Sequence, residues 1–164
     1  MRNNNAHAMF AFALLPACLT GCAHKDENQR ALETVYASRD RAVIKRDLAT
    51  FMRVIPQDYV YVNKKGDSFD QSHESKKWRD YFNHSTSFES ATTIQSVEGQ
   101  GDRLEVNINW VFTRHYTGPD SGAADEVTSE FQNRDTWIKR SDKWFLILSE
   151  VKENHTTRNG VKVN

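Results

Sequence analysis

Two carboxylates late in the chain, Asp135 and Glu150, are placed where a general acid or base could work. Asp135 belongs to the stretch NRDTWIKRSDKWFLIL, residues 133–148, which reads as two strands joined by the tight polar turn RSDK. It shares strand parity with Val127, Phe131 and Trp137, and period-2 alternation points all four to one face. A carboxylate turned into an apolar cavity acquires a raised pKa and can accept or release a proton. Glu150 shares parity with Trp144, Leu146 and Leu148, so it is a second buried carboxylate if that face is inward. A one-residue register error reverses either assignment. Plainer roles stay open: Asp135 paired with Arg114 or Arg134 or facing water, and Glu150 at a solvent-facing strand end. The trio Asn133, Arg134 and Asp135 therefore reads as scaffold first, pocket wall second and catalyst third.

Trp78, Tyr81 and Phe82 fall at helical spacing in HESKKWRDYFNHS, and with Trp110 they could wall a pocket for a flat or apolar ligand. The competing reading is plain core. The histidines after Cys22, at positions 24, 73, 84, 115 and 155, lack the convergent spacing of a metal site. No Gly-rich phosphate loop and no Gly-x-Ser-x-Gly elbow occurs. Neither a metal nor a cofactor is expected.

Several elements must position these residues. Apolar residues between Glu27 and Arg46 (Leu32, Val35, Tyr36, Ala42, Val43, Ile44) follow a helical period. Asp47 is placed to cap a second helix, LATFMRVI, which Pro56 stops. DYVYVN reads as a strand and Lys65-Gly66-Asp67 as a turn, ahead of a third helix at HESKKWRDYFNHS. Four strand-like segments follow at about 86–98, 103–117, 125–140 and 143–153, with a longer loop at TGPDSG. In the second of them Leu104, Val106, Ile108, Trp110 and Phe112 alternate with polar residues. Helices followed by a run of antiparallel strands make an α+β plan.

The 164 residues fit one domain, and Lys+Arg balance Asp+Glu at 22 each. Without a basic stripe, nucleic acid is excluded as the main partner. Both cysteines, Cys18 and Cys22, lie at the N-terminus, so the rest of the chain holds no disulfide and no cysteine-ligated zinc. The opening MRNNNAHAMFAFALLPACLTGC has one positive charge, an apolar run too short to span a bilayer, and then Leu19-Thr20-Gly21-Cys22. This resembles a bacterial lipobox, which implies cleavage before Cys22 and diacylglycerol on its thiol. Ala23 resembles the outer-membrane sorting pattern. The expected location is thus the bacterial cell envelope, facing the periplasm and held to the outer membrane by the lipid anchor. Residues 1–21 are read as signal peptide, 22–27 as a lipidated tether, 28–153 as the domain and 154–164 as a C-terminal tail.

The order of elements in RDRAVIKRDLATFMRVIPQDYVYVNKKGD, ESKKWRDYF and RDTWIKRSDKWFLIL resembles the nuclear transport factor 2-like superfamily, which includes SnoaL-like cyclases and ketosteroid isomerases. The resemblance implies a cone-shaped, cystatin-like domain, with three N-terminal helices packed on a curved antiparallel sheet around a deep apolar cavity. It also implies a homodimer through the outer face of the sheet. Isomerase chemistry there needs a carboxylate base and an oxyanion hole. Asn63 or Val62 falls at the base's place, and an amide cannot abstract a proton. Tyr36 lies one turn from the family's helix tyrosine. The superfamily alignment turns Gln132, Arg134 and Thr136 inward, opposite to the parity read above. The resulting pocket set is Tyr36, Tyr61, Asn63, Trp78, Phe82, Trp110, Arg134 and Asp135. The favoured function is non-catalytic binding of a small apolar or amphipathic molecule, or of a protein partner. The alternatives are a cyclase, dehydratase or isomerase using Asp135 or Glu150 with Tyr36, Tyr61 or Arg134, and a structural assembly module.

Overall fold

A helix that packs on a sheet needs one apolar stripe, and α1 (Thr20–Lys45) supplies it with Leu32, Tyr36 and Val43, all at most 2 % exposed. The structure, a computed structural model, describes residues 20–117 and 124–163. The leader up to Leu19 and most of the TGPDSG loop lie outside the described residues. Cys22 falls within the first turns of α1, and the stretch read as a tether is helical. Helix α1 ends at Arg46, whose φ of 55° reverses the chain, with the Asp47 N–H donating to the Ala42 carbonyl at 2.8 Å. Asp47 then caps α2 (Leu48–Met52), accepting from the Thr50 N–H at 3.0 Å. This helix is shorter than the expected 48–55, because the chain turns at Arg53 and Val54 before Pro56.

The helices do not form one N-terminal layer, and the strand read at DYVYVN already separates the second from the third. Strands β1 (Val60–Val62) and β2 (Ser68–Asp70) intervene as a hairpin before α3 (Gln71–His84). The reason is local: VYV and SFD are β-formers flanking the Gly66 turn, and Asp70 caps α3 through the His73 N–H at 2.8 Å. The α+β class with a curved sheet stands.

The sheet is built by β3 (Ser87–Gln100), β4 (Arg103–Thr117), β5 (Ala124–Arg140) and β6 (Lys143–Arg158), with β7 (Val161–Val163) folded back on β6. Strand order is β2-β1-β6-β5-β4-β3, antiparallel except where β1 lies parallel to β6. Pairing continues past residue 153, so the segment expected as a tail is largely strand. The β5–β6 turn holds Ser141 and Asp142 at φ 48° and 61°, the conformation a two-residue hairpin requires. On β4, Leu104, Val106, Ile108 and Phe112 are buried on the concave face, against α1 and α3.

Gly99, at the end of β3, has φ 109°, and a Cβ there would meet the Arg103 carbonyl oxygen at 2.6 Å. Both the backbone conformation and the space exclude a side chain. Gly99→Ala is expected to lower stability by about 1–3 kcal/mol, read as a shift of the urea midpoint with unchanged slope.

Register shifts in β5–β6 decide the interior. Thr136 pairs with Leu148 but Trp137 with Leu146, which leaves Ile147 as an extra residue; a second shift at Gln132/Asn133 leaves Lys152 extra. Each such bulge reverses the parity of β6 relative to β5. Leu146 and Ser149 therefore both face inward, and Glu150 is turned out.

Candidate functional site

Helix α1 carries the cation Arg39 in its apolar stripe, between Tyr36 and Val43. Helix α3 likewise carries Glu74 in the stripe that continues through Trp78 and Phe82. The two helices bring those charges to one cavity inside the cone, together with Asp40, Phe51, Tyr61, Lys77, Tyr81, Trp110, Phe112, Phe131, Asn133, Asp135 and Ser149. Its volume is about 50 Å³, room for about four water-sized groups. Trp78 is the hub of the wall: its ring touches those of Phe51, Tyr81, Phe82, Trp110 and Phe112.

The floor is polar. Asp135, 1 % exposed, accepts from the Tyr36 hydroxyl at 2.7 Å through Oδ2 and from the Ser149 hydroxyl at 2.6 Å through Oδ1. Tyr36 in turn accepts from Trp137 Nε1 at 2.8 Å, and Asn133 Nδ2 approaches Ser149 Oγ at 3.4 Å. Asp135 and Ser149 are direct cross-strand partners, which places the two groups side by side. Burial pushes the Asp135 carboxyl above its ordinary range, opposed by the Arg39 charge and by the Ser149 and Tyr36 hydroxyls. Burial, reinforced by the Asp135 charge, drives the Tyr36 phenol well above the ordinary tyrosine range. Tyr36 is therefore a fixed donor rather than a proton source.

Toward the rim, Glu74 accepts from Trp78 Nε1 at 2.8 Å, and Lys77 Nζ lies 2.6 Å from its other oxygen. Lys77 also sits over the Tyr61 ring at 4.7 Å. Desolvation, with the Glu74 charge adding, pushes Tyr61 up to about 12. Asp40 is fully engaged by the edge strand β3, accepting from Ser90 Oγ at 2.6 Å and from the N–H and hydroxyl of Thr92 at 2.8 and 3.0 Å. Two buried atoms at the floor have no hydrogen-bond partner: Arg39 Nε and Asn133 Oδ1.

Of the residues singled out in the sequence, Tyr61, Trp78, Trp110 and Asp135 line the cavity. Tyr36 lies one contact below the floor, and Phe82 is core behind Trp78. Asn63 does not reach it: its side chain closes the β1–β2 turn, bonding the Lys65 and Asp67 N–H groups and the Asp67 carboxylate. Arg134 is turned to the outer face, where it pairs with Glu105, and Gln132 shares that face, contrary to the inward placement that the superfamily alignment implied. Glu150 is also on that face, beside Lys152 at 3.2 Å, and is not a second buried carboxylate. Arg114 does not pair with Asp135 but lies over the Tyr81 and Tyr116 rings at 4.6 and 4.9 Å.

Sequence reasoning missed Arg39, Glu74, Lys77 and Ser149. A readable signal existed for the first two, since each is a charge at the buried spacing of an amphipathic helix. Ser149 had none, because its inward turn depends on the bulge at Ile147. Among the described residues no group of three or more His, Cys, Asp or Glu is arranged to hold a metal ion, and no helix is long and apolar enough to cross a membrane.

No protein-family model and no curated protein matches the chain. Among solved structures, a scytalone dehydratase-like protein from Novosphingobium aromaticivorans superposes with a TM-score of 0.71 at 12 % identity, covering 87 % of this chain and 93 % of its own. LinA gives 0.60 at 11 %, covering 84 % and 90 %. A dehydratase assigned to the nuclear transport factor 2-like family from Streptomyces avermitilis gives 0.57 at 12 %, covering 77 % and 96 %. At such identities the likeness is one of architecture: this chain shares the α+β fold with a curved sheet of these structures, one of which is assigned to the nuclear transport factor 2-like family.

Proposed function

We propose that this chain is a lipid-anchored bacterial envelope protein whose cone binds a small amphipathic molecule without transforming it. The observation that carries this reading is the division of the cavity. Its wall is aromatic, while its floor holds a donor and an acceptor, Arg39 Nε and Asn133 Oδ1, that the protein itself leaves unpartnered. Buried polar atoms are rarely left so, and a ligand bearing complementary groups relieves the cost. The volume of about 50 Å³ restricts that ligand to a small one unless the wall moves. Against chemistry, both Asp135 oxygens already accept hydroxyl protons from the protein, and among the described residues no histidine lines the cavity. The leader ending in Leu19-Thr20-Gly21-Cys22 supports anchoring through Cys22, periplasm-facing on the outer membrane. Homodimerisation through the outer sheet face, as the superfamily resemblance implies, belongs to the same reading.

A second reading, acid–base catalysis, draws on one observation: Asp135 is a deeply buried carboxylate that lines the cavity, with its pKa raised by desolvation. It requires a substrate whose turnover is lost in Asp135→Asn while binding survives.

Native mass spectrometry of the protein extracted from membranes in detergent tests the favoured reading. The expected spectrum carries diacylglycerol on Cys22 and a further small mass that leaves on denaturation. A protein with an unmodified N-terminus and no releasable mass, unchanged by a panel of small amphipathic compounds, contradicts both halves.

A further inference from the structure

The charge inventory of the cavity is uneven. Five charged side chains line it: Arg39, Asp40, Glu74, Lys77 and Asp135. Glu74 and Lys77 neutralise each other at 2.6 Å. Asp40 is occupied by three donors from Ser90 and Thr92. Asp135 is occupied by Tyr36 and Ser149; Arg39 acts on it through space, and among the described residues no ion pair or hydrogen bond joins the two. That leaves Arg39. Its guanidinium lies over the Phe51 ring at 4.8 Å, its Nε is buried with no partner, and among the described residues no carboxylate is bonded to it. A guanidinium so placed, with a buried Nε–H left unpartnered, can receive a carboxylate through two parallel bonds in its own plane.

The neighbouring surfaces suit a flat molecule. Phe112 and Phe131 are parallel within 3°, and Trp78 and Trp110 are inclined by only 37° at 5.6 Å. Asn133 Oδ1 offers an acceptor on the same floor.

Resting on the binding reading above, we propose that the ligand is a small planar monocarboxylate, aromatic or conjugated, whose carboxylate is taken by Arg39 and whose body displaces the wall at Trp78, Trp110 and Phe131 to lodge against it. Arg39 is the one lining charge that no ion pair or hydrogen bond engages among the described residues, which suits a single carboxylate. The second charge of a phosphate ester has no second free cation to meet it among the described lining residues. A hydroxyl or amine on the ligand's body would reach Asn133 Oδ1, so donor-bearing acids bind more tightly than bare ones.

Isothermal titration of the full lipidated chain in detergent decides this, with benzoate, the neutral isostere benzamide, and inorganic phosphate as probes. Benzoate is expected to bind at least about ten-fold more tightly than benzamide, as a charge-assisted bond to a half-buried guanidinium implies, and phosphate not to compete. In Arg39→Met the two probes should become equal, while Arg39→Lys, which keeps the charge but loses the fork, should retain part of the preference. The comparison of benzoate with benzamide on the unaltered protein stands even if the Arg39 variants do not fold. Equal binding of the two probes overturns the carboxylate assignment and leaves the binding cavity in place. Competition by phosphate overturns it in favour of a general anion site. Failure of every probe to bind, with no cavity adduct in the native spectrum, removes the binding reading itself.

Discussion

Asp135→Ala is expected to destabilise the fold by about 3–5 kcal/mol, as removal of one member of a buried charged network does. The carboxylate is 1 % exposed and is the common acceptor for Tyr36 and Ser149. Without it two buried hydroxyls lose their acceptor, and the Arg39 charge loses its through-space counterpart. Asp135→Asn is milder, because the amide fills the same space and still accepts one hydroxyl proton. That variant isolates a pH dependence. The folded-state pKa of Asp135 is raised, so the native protein holds this proton more tightly than the unfolded chain does. Its contribution to stability is fully present below the ordinary carboxylate pKa and is lost as pH rises through the raised value. The carboxylates Asp58, exposed, and Asp125, largely covered, run the other way. Their pKa values are lowered by hydrogen bonds from Arg140 and Arg158, so what they contribute is lost as pH falls. The difference in Tm between the unaltered protein and Asp135→Asn should therefore be most favourable to the unaltered protein in acid and shrink as pH rises, whatever Asp58 and Asp125 do to both. A difference that is flat with pH would mean that folding leaves the Asp135 pKa unchanged.

Trp78→Ala is expected to cost about 3–5 kcal/mol, the range for removing a large buried aromatic side chain. Trp78 is 1 % exposed, and its ring links α2, α3 and β4 through Phe51, Tyr81, Phe82, Trp110 and Phe112. Its loss also leaves Glu74 Oε1 without the indole donor. Because the ring is cavity wall as well as core, the substitution should enlarge the space inside the cone. Urea unfolding reads the first effect. Binding of a larger aromatic acid by the variant than by the unaltered protein reads the second. A loss below about 1 kcal/mol would mean that the neighbouring rings collapse into the gap. The two roles weighed for these aromatics from sequence, core and pocket, are in this residue the same role.

The amphipathic period of α1, the Asp47 cap, the alternation on β4 and the polar hairpin turn after Arg140 were all legible in the sequence. Each depends on residues close along the chain, where spacing alone fixes which side chains share a face. The lipobox is likewise a local pattern, an expectation carried by four consecutive residues. The α+β plan followed from adding these local readings in order. Tertiary structure decided the rest. Of the two parities the sequence left open on β5, the structure takes the one with Asn133 and Asp135 inward and Arg134 outward. On β6 two extra residues, Ile147 and Lys152, reverse the alternation and exchange Glu150 for Ser149 at the floor. A bulge is set by how a strand fits its neighbours, and the strand's own period-2 pattern does not record it. The meeting of Arg39 from α1 with Asp135 from β5, almost a hundred residues apart, also had no local cause. It follows from laying α1 across the concave sheet with the Tyr36 hydroxyl on Asp135, a contact that only the closed cone creates. The sequence by itself determined the elements and their inward faces wherever the period ran unbroken. Only the packed structure decided which charges those faces bring together, because that depends on strand register and helix placement across the whole domain.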